Sequence, residues 1–199
     1  MDFKIVFIDD NMSEKEPFVQ NIRKHYKDAD CKNPDKGLEF VLENLNSKMI
    51  VFIDWNFSGH HKKGIDLLKE IRKKTSLLYI VIMSANQLRT DIPLDSIIEM
   101  MNEENFFYLD RSNDDFESVI SIIDRVRSQW NTKFDCVLEQ WLLRHPEDNG
   151  KEAFSEVSTG KKFTWADILV ELRQQTPIGK SFEQKLNEYY IYQLNRSKK

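Results

Sequence analysis

Three short apolar runs, each ending on a small oxygen-bearing side chain, constrain this chain more than any other feature. Phe3-Lys4-Ile5-Val6-Phe7-Ile8 leads into Asp9-Asp10, Met49-Ile50-Val51-Phe52-Ile53 into Asp54, and Leu78-Tyr79-Ile80-Val81-Ile82-Met83 into Ser84-Ala85. Runs that stay apolar at every position, rather than at alternate ones, belong to parallel strands buried on both faces. The carboxyl ends of such strands share one edge of the sheet, and ligands bind just beyond it. Three carboxylates gathered there repel one another unless a divalent cation or a shared proton offsets the charge.

Helix-like segments separate the runs. Helices are expected over about 15–27, with Ser13 as N-cap and Glu16 as its capping-box partner, and over 36–45, opened by Asp35. Further helices are expected over 64–74, near 92–102, and from about Asn113–Asp115 onwards. A weak strand near 29–32 and a last one over 105–109 complete five strands alternating with five helices. Right-handed crossovers then give an α/β fold with a doubly wound, five-stranded parallel sheet.

Length and composition set the outer bounds. A chain of 199 residues accommodates one domain of about 120–130 residues plus an appendage. We therefore expect domains at 1–130 and 131–199. The net charge of −4 divides into −5 for residues 1–130 and +1 for the remainder, and neither part has the basic excess of a nucleic-acid footprint. No apolar stretch approaches the roughly 18 residues of a membrane span, and with a strand read from residue 3 no signal sequence is expected. Two cysteines, Cys31 and Cys136, provide neither a disulfide framework nor a zinc site. Reduced thiols and a cytoplasmic protein are expected.

No Gly or Pro interrupts 114–144, and Val119, Ile123, Val126, Trp130, Phe134, Val137, Leu138 and Trp141 keep helical spacing. This predicts a single extended fifth helix, whose second half packs on the tail or forms the seam of a homodimer. His145-Pro146-Glu147-Asp148-Asn149-Gly150 breaks the chain. Beyond it, Thr164 caps a helix over 165–174, Thr176-Pro177-Ile178-Gly179 makes a turn, and a last helix runs over 181–194. The result is an all-helical C-terminal extension.

In αβ order and at particular positions, residues 1 to about 130 resemble the receiver domain of two-component response regulators, a flavodoxin-like fold. The acidic pair Asp9-Asp10 after strand 1, Asp54 at the end of strand 3, Asn56 two residues on, and Ser84-Ala85 after strand 4 all match that family's pattern. The resemblance implies that Asp54 is the phosphoacceptor and that Mg²⁺ is bound by Asp9, Asp10, Asp54 and the backbone carbonyl of Asn56. It also implies that Ser84 and Ala85 hydrogen-bond the phosphoryl group, and that Tyr108 in strand 5 is the aromatic switch. The partner it implies is a histidine kinase or phosphotransfer protein. The activity is then a signalling switch that promotes its own phosphoryl transfer, rather than catalysis on a separate substrate.

The match fails after strand 5, where the family has a lysine followed by proline. Here the sequence is Tyr108-Leu109-Asp110-Arg111-Ser112. Arg111 aligns best with the lysine, but its planar fork is not equivalent to an ammonium. An active phosphoacceptor and a pseudo-receiver regulated by binding alone therefore both remain open. His60-His61 reads as a pair of solvated loop residues, because adjacent histidines seldom face one ion, and Trp55 is expected at the rim of the acidic pocket. For the tail, a helical protein-interaction or dimerisation module accounts for Tyr189, Tyr190, Ile191 and Tyr192. A DNA-binding helix–turn–helix is the alternative: Lys180, Gln184, Lys185 and Asn187 favour it, while Glu183, Glu188 and a long turn oppose it.

Overall fold

The structure, a computed structural model, describes residues 3–45, 48–85, 92–111 and 116–196. The chain divides into two compact units, Met1–Gln129 and Trp130–Lys199. The expected helix start at Asn113–Asp115 falls outside the described residues.

The first unit is the doubly wound sheet. Strands β1 (Lys4–Ile8), β2 (Ala29–Lys32), β3 (Met49–Asp54), β4 (Tyr79–Ser84) and β5 (Phe106–Asp110) are all parallel, in the order β2-β1-β3-β4-β5. Helices α1 (Pro17–His25), α2 (Pro34–Glu43), α3 (Gly64–Arg72), α4 (Leu94–Met101) and α5 (Phe116–Trp130) alternate with them. The inner strands are buried without a break, as their uninterrupted apolar runs require: Ile5 to Ile8, Ile50 to Ile53 and Ile80 to Met83 are all fully buried. Side chains of alternate residues enter opposite faces. Val6, Ile8, Val51, Ile53, Ile80 and Ile82 meet Val41, Ile65, Leu68 and Met100 from α2, α3 and α4. On the other face Phe7 stacks on Phe52 at 4.9 Å and meets Phe18 of α1 edge-on at 5.8 Å. Each such burial contributes roughly 1.5–3 kcal/mol of transfer free energy, so the sheet is a rigid platform for its own edge.

Two helix starts differ from expectation, because proline selects the first helical position. Pro17 opens α1, leaving Ser13 in a preceding turn where its N–H donates to Glu16 Oε1 at 3.3 Å. Pro34 opens α2, and the Asn33 side chain, not Asp35, accepts from the Lys36 N–H at 3.0 Å. Gly64 begins α3 hard against the strand end. A Cβ there would lie 2.3 Å from the Asp54 carbonyl oxygen, so no larger residue fits.

The extended fifth helix over 114–144 is not one helix. α5 ends at Trp130, and Lys133 adopts an extended conformation (φ −77°, ψ 133°) as the N-cap of a separate helix, α6 (Phe134–Arg144). The i, i+4 step from Trp130 to Phe134 carries apolar periodicity across the break, which is why spacing alone reads through it. A homodimer seam along a continuous 114–144 helix is therefore excluded.

The second unit is helical but not all-helical. After α6 come a 3-10 turn (Pro146–Asp148), an antiparallel pair β6 (Glu152–Ser155) and β7 (Lys162–Thr164), α7 (Trp165–Arg173) and α8 (Pro177–Arg196). Thr164 caps α7 as expected, in a capping box with Asp167. The supposed turn Thr176-Pro177-Ile178-Gly179 is instead the first turn of α8. Thr176 caps it through Oγ1, which accepts from the Gly179 N–H at 3.1 Å, so only Gln174 to Thr176 connect the two helices. Gly179 allows α8 to approach α7, since a Cβ would lie 2.2 Å from the Glu171 carbonyl oxygen. The core is small: Leu138, Leu142, Phe163, Ile168, Leu172 and Phe182. Phe182 is at its centre, with its ring 5.7–6.1 Å from those of Phe154, Trp165 and Phe134. Arg173, 5% exposed, bridges Asp135 (3.4 Å) and Glu139 (3.0 Å) on α6. No described helix is long and apolar enough to cross a membrane.

Candidate functional site

The sheet order places the chain reversal between β1 and β3, and a cleft of about 560 Å³ opens at the carboxyl ends there. Asp9, Asp54, Ala85 and Arg111 line it together with Asn11, Met12 and Glu16. Four residues expected from sequence thus share one cavity, although Asp9 and Arg111 are 102 positions apart.

Asp9 is almost fully buried, and its two oxygens have separate tasks. Oδ1 accepts the Asn11 and Met12 N–H groups at 2.8 and 2.9 Å, which fixes the turn after β1. Oδ2 pairs with Arg111 Nη1 at 3.1 Å. The Arg111 backbone N–H donates to the Ser84 carbonyl at 2.8 Å, continuing the β4–β5 ladder, and its guanidinium lies 5.8 Å from the Phe18 ring. A partly buried, hydrogen-bonded pair of this kind is harder to break than a surface one.

Asp54 closes β3, paired in register with Met83. Burial, and then the neighbouring Asp9 carboxylate, push its pKa up to about 6; Arg111 and the Asn56 and Trp55 N–H groups pull the other way. The Asn56 N–H donates to Asp54 Oδ2 at 3.3 Å. An aspartate that retains a proton this readily is under-compensated as an anion, which leaves it with capacity for a cation.

Asp10 does not line the cleft. Its Oδ2 accepts the Ser58 N–H at 2.8 Å and the Asn11 side-chain amide at 3.2 Å, tying the loop after β3 to the end of β1. Its Oδ1 is buried, with no hydrogen-bond partner among the described residues. Ser84 is buried and is not among the residues that line the cleft, while Tyr108 is partly buried and packs against the core cluster. Trp55 is not at the rim: it is 1% exposed and belongs to the core. His60 and His61 are exposed, as expected.

The three aspartates do not form a closed ligand cage. Among the described residues, the grouping of three ligand-bearing side chains whose atoms all lie within 4.8 Å of one another is His145, Glu147 and Asp148. That surface cluster is already engaged, with Asp148 bound to Lys151 at 2.6 Å and to Trp141 Nε1 at 2.9 Å. Sequence reasoning missed Glu16, which it assigned only to helix capping. Its position six residues after the acidic pair, at the entry to α1, brings it to the same cleft.

No protein-family model matches the sequence, and no curated protein matches it. Solved structures do. The N-terminal domain of an uncharacterized protein from Wolinella succinogenes is 12% identical, with a TM-score of 0.50, over 63% of this chain and 94% of its own. A yeast Spc42 trimeric coiled-coil segment fused to another solved structure is 13% identical, with a TM-score of 0.52, over 74% of this chain and 93% of its own. A response regulator receiver domain protein from Clostridium thermocellum is 23% identical, with a TM-score of 0.48, over 66% of this chain and 99% of its own. At these identities what is shared is the fold, a doubly wound five-stranded parallel sheet, here followed by a helical extension.

Proposed function

We propose that the first unit is a phosphorylatable receiver of a two-component system, and that its phosphorylation state governs the second unit as an interaction module. The observation that carries this reading is the state of Asp54. It is a carboxylate at a parallel-strand terminus, facing an open cleft and destabilised as an anion to a pKa of about 6 by burial and by Asp9. In this reading an Asp54 oxygen attacks the phosphorus of a phosphohistidine on a partner kinase or phosphotransfer protein. The P–N bond breaks, its electron pair returns to the imidazole, and an acyl phosphate forms on Asp54.

In chemical kind the donor set suits Mg²⁺, although Asp10 does not line the cleft. It consists of hard oxygens only, with Asp54 under-compensated and Asp10 Oδ1 buried without a partner among the described residues. Asp10, Asp54 and the Asn56 carbonyl would hold the ion, with Asp9 in support, and bound there it would neutralise charge on the incoming phosphoryl oxygens. The remaining work falls to the protein. The Ser84 hydroxyl and Ala85 N–H hydrogen-bond the new phosphoryl group, and Arg111 leaves Asp9 to pair with it. Tyr108, on the neighbouring strand and two residues before Ser84's partner Asp110, is the candidate to respond to movement of Ser84.

A second reading has its own support. With Arg111 on Asp9 Oδ2 and two N–H groups on Oδ1, both oxygens of Asp9 are engaged without a metal. A pseudo-receiver with an internal guanidinium as its cation would look the same. DNA binding is the weaker reading of the second unit: α8 mixes Lys180 and Lys185 with Glu183 and Glu188, and its distal half is aromatic. Incubation with Mg²⁺ and acetyl phosphate, read by intact mass, separates the first two readings. One added phosphoryl group on the wild type and none on Asp54→Asn supports the receiver. No addition to the wild type favours the pseudo-receiver.

A further inference from the structure

Arg111 stands where the sequence departs from the receiver pattern, and its contacts show what that departure does to the cleft. Among the described residues that line the cleft it is the only basic one, set against the carboxylates of Asp9, Glu16 and Asp54. Its backbone is anchored one residue beyond β5, where its N–H donates to the Ser84 carbonyl at 2.8 Å. Side-chain torsions alone therefore decide where the guanidinium goes. Here Nη1 is 3.1 Å from Asp9 Oδ2, with the Phe18 ring 5.8 Å from the guanidinium carbon.

Asp9 has one oxygen to offer a cation, and that oxygen is taken. Oδ1 accepts the Asn11 and Met12 N–H groups, so turning it towards a cation would strip two backbone donors of their partner in a buried turn. Oδ2 is left, and the guanidinium holds it. Asp10 does not relieve the shortage, because its Oδ2 is committed to the Ser58 N–H and the Asn11 amide. A divalent cation and a guanidinium drawn to the same carboxylate also repel each other, and the burial of Asp9 leaves little water to screen them.

We infer that Arg111 is a latch on the cation site: its guanidinium and a divalent cation compete for Asp9 Oδ2, so the ion pair sets how tightly the cleft binds Mg²⁺. The inference rests on the reading of the cleft as a Mg²⁺-dependent phosphoacceptor site and adds a regulation to it. Arg111 acts here through Asp9, as a positioning residue. Receiver and pseudo-receiver then differ in the position of one equilibrium, according to whether the guanidinium or the divalent cation holds Asp9. Competition of this kind is a negative coupling between two ligands of one group, and it is reciprocal: the cation must loosen the ion pair by the factor that the ion pair weakens the cation.

Titration of the full chain with Mg²⁺ alone, followed by the amide NMR signals of Met12, Asn56 and Ala85, measures this affinity without any phosphoryl transfer. Arg111→Ala should bind Mg²⁺ about tenfold more tightly than the wild type, within the usual range of coupling between linked sites. Asp9→Asn keeps an oxygen for the two turn hydrogen bonds but removes the ion pair. In that background Arg111→Ala should change the affinity by less than about twofold, so the double-mutant cycle isolates the shared carboxylate. The wild type supplies a reading that needs no variant: the Arg111 Nε–H signal should shift along the same Mg²⁺ isotherm. An equal gain in both backgrounds would mean that Arg111 acts only through its field, and overturns the latch. So does an Arg111 signal that ignores Mg²⁺, or a wild type that binds as tightly as Arg111→Ala. If Asp54 still takes a Mg²⁺-dependent label in those cases, the receiver reading stands without the latch. If no variant binds Mg²⁺ and no label forms, both fall.

Discussion

The two units solve the burial problem in opposite ways. In the first, five strands between two helical layers bury nearly all their apolar side chains, and what remains at the strand ends is polar: Asp9, Asp54, Ala85 and Arg111 around an open cleft. In the second, a cluster of six buried side chains holds three helices and a hairpin, and much of what remains outside is aliphatic or aromatic. The first unit therefore has surplus charge, which suits it to chemistry with a charged ligand. The second has surplus apolar surface, which suits it to association. The proposed function uses this division, with the first unit modified and the second making contacts.

If the contrast is real, damage to the cores should have unequal consequences. The largest expected effect is Phe182→Ala, which removes the ring shared by Phe134, Phe154 and Trp165. It should cost about 3–5 kcal/mol. Because the second unit has so little else in its core, thermal unfolding should split into two transitions, with the later one unmoved. A single cooperative shift of the whole chain would blur the comparison.

Next in size is Asp54→Asn, which should stabilise the protein. The folded pKa of about 6 exceeds the ordinary 3.8, so the folded state holds this proton more tightly than the unfolded chain does. The contribution of Asp54 to stability is thus fully present below about pH 4 and lost as pH rises through 6, and above that the charged carboxylate is a net cost. Asparagine removes the cost, so denaturant titrations should show a gain on the order of 2 kcal/mol at pH 7.5 that vanishes by pH 4. An equal gain at both pH values would mean that charge is not the cause.

A smaller effect is expected from the cation. Millimolar Mg²⁺ should raise the melting temperature of the first unit by the equivalent of about 1 kcal/mol, and Asp54→Asn should lose most of the shift. Arg111→Ala should act on the same balance by removing the charge that holds the Asp54 pKa down. Its carboxyl titration, followed by NMR, should therefore move upward, while Arg111→Lys leaves it nearly in place. Smallest of all, replacing His60 and His61 with alanine should change stability by no more than about 0.5 kcal/mol and leave labelling intact, as expected for exposed loop residues.

The first unit was far more legible in sequence than the second, for a physical reason. Strands buried on both faces must be apolar at every position, so β1, β3 and β4 can be read directly, and their polar termini mark the cleft. The pairing of Arg111 with Asp9 depends on reach past the ends of β3 and β4 and on where β5 ends, and no local pattern encodes either. Trp55 looked like a rim residue because it follows Asp54, yet the chain turns it into the core. In the second unit, β6 and β7 are three to four residues long and only half-buried, too short for a period-2 signal. The break at 131–133 contains neither Gly nor Pro, and Pro177 marks a helix start as readily as a turn. Such local choices are decided by a small core that assembles only when the whole unit folds.

The central claim is that the cleft at the strand ends is a phosphoacceptor site with Asp54 as its nucleophile. The most direct measurement is peptide-level mass spectrometry that locates the phosphoryl group after treatment with acetyl phosphate, with and without Mg²⁺. The account predicts a single label on Asp54 that requires the cation. No label, or one on Asp9, Asp10 or Glu16 that forms equally well without Mg²⁺, would contradict it.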